Sequence, residues 1–154
     1  MKQNPEALVI DASVAVKWLV EGEVLGEQAT HLWYRYLNEG MILVAPAHIH
    51  CEVPSAIIST TRGQSARLQP AQAKEAIEEF LNIAFRVVPT KELVLGAFDL
   101  TIEFEISIYD ALYLALALEY ELPLVTADAR FARKLTSIQN VRWLGDLPRR
   151  VDAA

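Results

Sequence analysis

The sequence predicts an α/β domain with a parallel sheet and helices on both faces. Three observations predict it. Short apolar runs rich in β-branched residues alternate with longer stretches of helical periodicity. No tight hairpin signal such as Asn-Gly separates two of these runs. Parallel neighbours need crossovers of about a dozen residues or more, and the helical stretches between the runs supply them.

Ala7-Leu8-Val9-Ile10 is the first strand, buried and stopped by Asp11. Ser13 is the expected cap of a helix through about Val20. Glu23 to Asn38 follows as a second helix, and Gly40 ends it. Ile42-Leu43-Val44-Ala45 is the second strand, closed by Pro46. Ala47 to Thr61 has a helical pattern that Pro54 should kink or split. After a polar link at 64–69, Pro70 opens a helix to about Ala84. Arg86-Val87-Val88 is a third strand, closed by Pro89. Glu92 to Phe104 is helical, and Ser107 opens an apolar helix to about Tyr120. Leu122 to Thr126 is the fourth strand, Phe131 to Thr136 a short helix, and Val141-Arg142-Trp143 the fifth strand.

The 154 residues amount to about one domain, taken as 1–154 with a flexible tail at 146–154. Apolar residues make up 53% and charged residues 22%, which excludes a disordered chain. The single cysteine, Cys51, forbids an internal disulfide and fits a reducing compartment, so a cytoplasmic location is expected. The start is no signal peptide. The most apolar stretch, 106–125, carries Asp110, Glu119, Glu121 and Pro123, which a membrane span would not tolerate, so no membrane partner is expected. Fourteen Lys and Arg stand against 20 Asp and Glu, a net charge of −6, which at first sight disfavours nucleic acid. The balance is uneven. Residues 1–129 hold eight basic and 18 acidic side chains, and residues 130–154 hold six basic and two acidic ones. The basic end, starting at Arg130, is either a mixed surface or a small anion-binding rim.

Ligands of parallel sheets bind beyond the carboxyl ends of the strands. Four carboxylates from separate segments point there: Asp11 after the first strand, Glu52 in the helix after the second, Asp110 in the first turn of the helix before the fourth, and Asp128 after the fourth. Each has a plainer reading. Asp128 caps the short helix behind it, Asp110 belongs to a Ser107-x-x-Asp110 capping box, and Glu52 lies on a surface. Asp11 is the hardest to explain by packing. Two unit charges ~5 Å apart repel by roughly 3 kcal/mol at an effective dielectric of ~20. Four carboxylates in one cleft therefore protonate in part or take up a cation. All-oxygen ligands suit Mg²⁺, which activates a bound water and stabilises a phosphoryl transition state.

Val9-Ile10-Asp11-Ala12-Ser13, Ala45-Pro46 with Glu52, Tyr109-Asp110-Ala111-Leu112-Tyr113 and Thr126-Ala127-Asp128 together resemble the PIN domain, most of all the VapC ribonuclease toxins. The resemblance spans the chain from first strand to last. It implies a five-stranded parallel sheet in the order 3-2-1-4-5. It also implies an acidic quartet of Asp11, Glu52, Asp110 and Asp128 holding Mg²⁺ or Mn²⁺, with Ser13 and Thr126 as polar supports. Further implications are cleavage of RNA to 5′-phosphate and 3′-hydroxyl ends, a homodimer, and inhibition by a VapB-type antitoxin whose basic tail enters the acidic groove. Pro54 departs from the family pattern and is expected to re-aim Glu52.

Other readings stay beside this one. Tyr109 and Arg130 are candidates for contacting substrate, although Tyr109 and Tyr113 also suit packing within one helix. Leu32, Trp33, Tyr36 and Leu37 are expected to form an apolar surface for a partner. His48, His50, Cys51 and Glu52 hint at a transition metal, but no second Cys/His pair supports zinc. No phosphate-cradling glycine motif or nucleophile elbow occurs. The alternatives to an endoribonuclease are a catalytically weak PIN-like scaffold for a partner protein and a metal-dependent phosphatase. In the latter, Ser13 stands where a general-acid aspartate is needed.

Overall fold

The carboxyl ends of five parallel strands set the geometry of this protein. The computed structural model describes residues 4–149. The strands are β1 (Ala7–Ile10), β2 (Ile42–Pro46), β3 (Phe85–Val88), β4 (Leu124–Thr126) and β5 (Val141–Trp143). They form one sheet in the order β3-β2-β1-β4-β5, the order that the family resemblance implies. Among the described residues the α-helices are α1 (Ala12–Leu19), α2 (Gly26–Asn38), α3 (Ile49–Ser59), α4 (Pro70–Leu81), α5 (Thr90–Phe104), α6 (Ile108–Glu119) and α7 (Ala129–Lys134). A 3₁₀ turn spans Leu144–Asp146.

The chain moves outward from β1 to β3, then crosses back to β4 and β5. Right-handed crossovers therefore place α1–α4 on one face and α5–α7 on the other. The packing follows this division: α1 meets α2, α3 and α4, while α5 lies along α6. Both faces are covered, so consecutive residues of the central strand β1, Leu8, Val9 and Ile10, are all buried. Leu43, Val44 and Ala45 repeat this in β2, whereas Arg86, Val87 and Arg142 on the edge strands are exposed. No helix among the described residues is long and apolar enough to cross a membrane.

Several element boundaries differ from the sequence expectations. Helix α1 is capped at Asp11 and not at Ser13, and Asp11 lies in extended backbone there. Helix α2 starts at Gly26, because Leu25 takes a left-handed turn at φ 65°. Helix α7 starts at Ala129, two residues early, because Asp128 caps it. Helix α3 runs through Pro54 without a break. The lost donor would have served the carbonyl of His50, and His50 is exposed.

The expected apolar surface on α2 is corrected. Leu32 is buried in the core. Trp33 stacks between Trp18 and Tyr36, with ring centroids 5.2 Å apart on either side, and the Tyr36 hydroxyl accepts from the Ala84 N–H. Only Leu37 stays exposed, and the exposed apolar residues gather instead on α5, at Leu95, Phe98 and Ile102. Of the segment expected as a tail, Leu147 packs on the core and Arg149 lies 3.8 Å from Glu27. Residues 150–154 lie outside the described residues.

Candidate active site

The ladder between β1 and β4 aligns Val9 with Leu124 and Ile10 with Val125. One step further, the Asp11 N–H donates to the Val125 carbonyl at 3.1 Å. This brings Asp11 beside Thr126, although 115 residues separate them. The Thr126 hydroxyl donates to Asp11 Oδ2 at 2.7 Å, and the Ser13 hydroxyl donates to the same oxygen at 2.7 Å. Each hydroxyl also accepts a backbone N–H, Ser13 from Ala127 and Thr126 from Asp128. The two hydroxyls thus fix the Asp11 carboxylate and the loop after β4 together. Oδ1 of Asp11 has no hydrogen bond among the described residues.

Asp11 is only 5% exposed. Burial pushes its carboxyl up to about 6, and the charges of Asp110 and Glu52 push the same way. The Ser13 and Thr126 hydroxyls pull it down. Asp110 arrives from the other side. Helix α6 precedes β4 and runs against the strands, so its first turn lies at their carboxyl ends. The Ser107 hydroxyl caps it by accepting the Asp110 N–H at 3.1 Å. The Asp110 carboxylate takes no hydrogen bond that closes a capping box, so this plainer reading accounts for the serine and not for the acid. Burial raises its pKa, followed by the charges of Asp128 and Glu52, and Ser107 and His48 oppose the rise. Asp128 does cap α7: Oδ1 accepts the N–H groups of Arg130 and Phe131 at 2.9 and 3.1 Å. Its second oxygen is not used in the cap.

Glu52 is half-buried on α3, with Oε1 2.8 Å from His48 Nε2. Glu52 lies N-terminal to Pro54 and keeps its i,i+4 neighbour His48. Asp110 and Asp128 line a cleft of about 250 Å³ together with Glu105, Ile106, Ser107, Arg130, Phe131 and Lys134. Arg130 is exposed on its rim, and Lys134 Nζ donates to the Glu105 carbonyl at 2.6 Å. Tyr109 is exposed beside Asp110, whereas Tyr113 is fully buried. A larger pocket of about 740 Å³ lies between α1 and α4. Its cations Lys17 and Arg67 are both paired with Glu23, and none of Asp11, Glu52, Asp110 and Asp128 lines it.

Among the described residues no three His, Cys, Asp or Glu side chains stand close enough to hold an ion between them. The donor chemistry nevertheless fits a hard divalent cation. The donors are all oxygen, and two of them, Asp11 and Asp110, carry pKa values raised first by burial and then by neighbouring carboxylates. Mg²⁺ takes one or two carboxylates directly and reaches the rest through water. His50 and Cys51, the other members of the transition-metal hint, diverge: His50 packs on Phe80 at 5.6 Å and Cys51 is exposed.

Sequence reasoning placed Asp11, Glu52, Asp110 and Asp128 at one edge, but it read His48 only as part of a transition-metal hint and Tyr113 as packing within one helix. The signal for His48 was present, because residues i and i+4 share a helix face.

The fold and this edge define a doubly wound α/β domain with an acidic cleft at its topological switch point. The chain belongs to the PIN-domain family, whose model matches residues 8–134. PAE2754 from Pyrobaculum aerophilum shares the fold with a TM-score of 0.62 at 22% identity, over 92% of this chain and 90% of that one. The Mycobacterium tuberculosis toxin VapC20, described as cleaving the sarcin-ricin loop, gives 0.60 at 19% identity over 82% and 93%. FitAcB from Neisseria gonorrhoeae gives 0.62 at 18% identity over 91% and 99%. No curated protein matches the sequence.

Proposed function

We propose that the chain is a divalent-metal-dependent endoribonuclease, the toxin of a toxin–antitoxin pair. The observation that carries the reading is the gathering of carboxylates around buried Asp11 and Asp110, whose pKa values are raised first by burial and then by neighbouring carboxylates. Such a cluster is stable when a cation enters it. Mg²⁺ or Mn²⁺ supplies an activated water and neutralises charge at the phosphorus when bound. Asp11, held by Ser13 and Thr126, and Asp110, held at the start of α6, are the direct ligands in this reading. Asp128 and Glu52 act through water. Arg130 on the rim meets an RNA phosphate, and exposed Tyr109 offers a face to a base. The fold likeness to VapC20, FitAcB and VapBC2 of Rickettsia felis supports a partner antitoxin, and an acidic cleft suits a basic tail. A homodimer completes the reading.

The test is cleavage of a 3′-labelled RNA by purified protein with Mg²⁺ or Mn²⁺. Wild type is expected to release 5′-phosphate and 3′-hydroxyl ends. Asp110→Asn should cut about 100-fold more slowly or worse while keeping its circular dichroism spectrum, since a lost metal ligand forfeits several kcal/mol. Unchanged cleavage by this variant would falsify the assignment. The dispersed carboxylates favour a second reading, a catalytically weak scaffold. Absence of metal binding together with retained antitoxin binding would select it.

A further inference from the structure

Three buried polar atoms in the candidate site lack hydrogen-bond partners: His48 Nδ1, Glu52 Oε1 and the Tyr113 hydroxyl. His48 links them. It sits at the N-cap of α3, and its side chain is only 11% exposed. The ring packs on Tyr113 with centroids 4.8 Å apart and on Tyr109 at 6.0 Å. Nε2 lies 3.1 Å from the Tyr109 carbonyl and 2.8 Å from Glu52 Oε1. Both neighbours are acceptors, so Nε2 carries the proton. One N–H bonds one acceptor well at a time. The aligned bond runs to Tyr109, and Glu52 Oε1 is the acceptor left over.

Filling space does not account for an imidazole here. A phenylalanine would pack on the two tyrosines without leaving Nδ1 buried and unpaired. What the imidazole adds is a donor that bonds the carbonyl of the residue before Asp110 while lying 2.8 Å from the carboxylate of Glu52. We propose that His48 is a positioning residue. Its Nε2–H ties the start of α6 to the first turn of α3 and so fixes the separation of Asp110 and Glu52. The proposal rests on the metal reading above. Partners that orient ligating carboxylates typically affect metal affinity 10- to 100-fold.

The test is calorimetric titration of the full chain with Mn²⁺, alongside thermal melts in EDTA. The proteins are wild type, His48→Phe and His48→Gln. The phenylalanine keeps the packing and removes the donor. The glutamine amide places an N–H near the position of Nε2. His48→Phe is expected to melt like the wild type and bind Mn²⁺ about 10-fold more weakly or worse. His48→Gln is expected to bind as the wild type does. If His48→Phe binds Mn²⁺ as tightly as wild type, the positioning role is wrong and the metal reading stands. If both variants lose affinity equally, the ring itself matters and the donor does not, which also overturns the proposal. A wild-type protein that takes up no Mn²⁺ overturns the metal reading, and this role with it.

Discussion

Asp11 is the carboxylate that the fold can least easily leave charged. It is buried, and its pKa is pushed up to about 6 against about 4 in an unfolded chain. The folded state therefore holds this proton over a range where the unfolded state has released it. Stability falls as pH rises from about 4 to about 6 and is flat above, a loss on the order of 3 kcal/mol. Asp110, also raised, acts in the same direction. Glu6 acts oppositely. The hydrogen bond from Arg35 lowers its pKa, so its contribution is lost at low pH, but it is unchanged by substitutions at the site. Asp11→Asn keeps an acceptor for Ser13 and Thr126 and removes the charge. In EDTA the variant should match the wild type near pH 4 and exceed it in stability at pH 7, by urea denaturation at both pH values. Equal stability at pH 7 would show that Asp11 ionises without penalty. The sequence announced Asp11 as a carboxylate out of place after an apolar strand. Local spacing did not announce what holds it, and only the family resemblance offered Ser13 and Thr126 as polar supports. Ser13 reads as a helix cap, yet its hydroxyl serves Asp11 and the Ala127 N–H, 114 residues away. A contact across the sheet leaves no trace in local spacing.

Elements that end on strong local signals were legible, and those that end on tertiary contacts were not. Pro46 at the end of β2 and Ser107 before α6 fixed their boundaries well, since each acts through its own backbone or the next turn. Pro54 is the instructive failure. Propensity alone predicts a kink or a split, and the helix is not split: α3 is held by Ile49, Val53 and Ile57, all fully buried, and carries the proline on its less buried side. Tertiary burial outweighs one missing hydrogen bond. The penalty should remain measurable. A helix-interior proline costs about 3 kcal/mol relative to alanine, and a stiffer unfolded chain returns up to about 1 kcal/mol. Pro54→Ala is therefore expected to raise stability by about 2 kcal/mol, or about 4–8 °C in Tm for a chain of this size. Because Glu52 precedes the proline, Mn²⁺ affinity should not change. A lower Tm would mean that the ring packs better than the absent bond costs.

At the scale of the molecule, strand order was beyond periodicity, which says which residues form strands and nothing about neighbours. It entered through the resemblance of four motifs, and the sheet has that order. Charge shows a similar limit. The basic end read as either a mixed surface or a rim, and it divides: Arg142 pairs with Glu6 and Arg149 lies against Glu27. Arg130 and Lys134 are the two cations that line the cleft with Asp110 and Asp128. The acidic total of −6 includes the four carboxylates of the candidate site, and under the proposed reading a bound cation offsets their repulsion. Binding to the folded state alone stabilises it by RT ln(1 + [L]/Kd), about 2.7 kcal/mol at 100 times Kd. Mn²⁺ at that excess should raise Tm by about 5–11 °C, at 2–4 °C per kcal/mol. Ca²⁺ is larger and prefers more ligands, so it should give a smaller shift. Asp11→Asn combined with Asp110→Asn should start from a higher Tm in EDTA and gain almost nothing from Mn²⁺. An equal Mn²⁺ shift in wild type and double variant would place the ion elsewhere on the molecule.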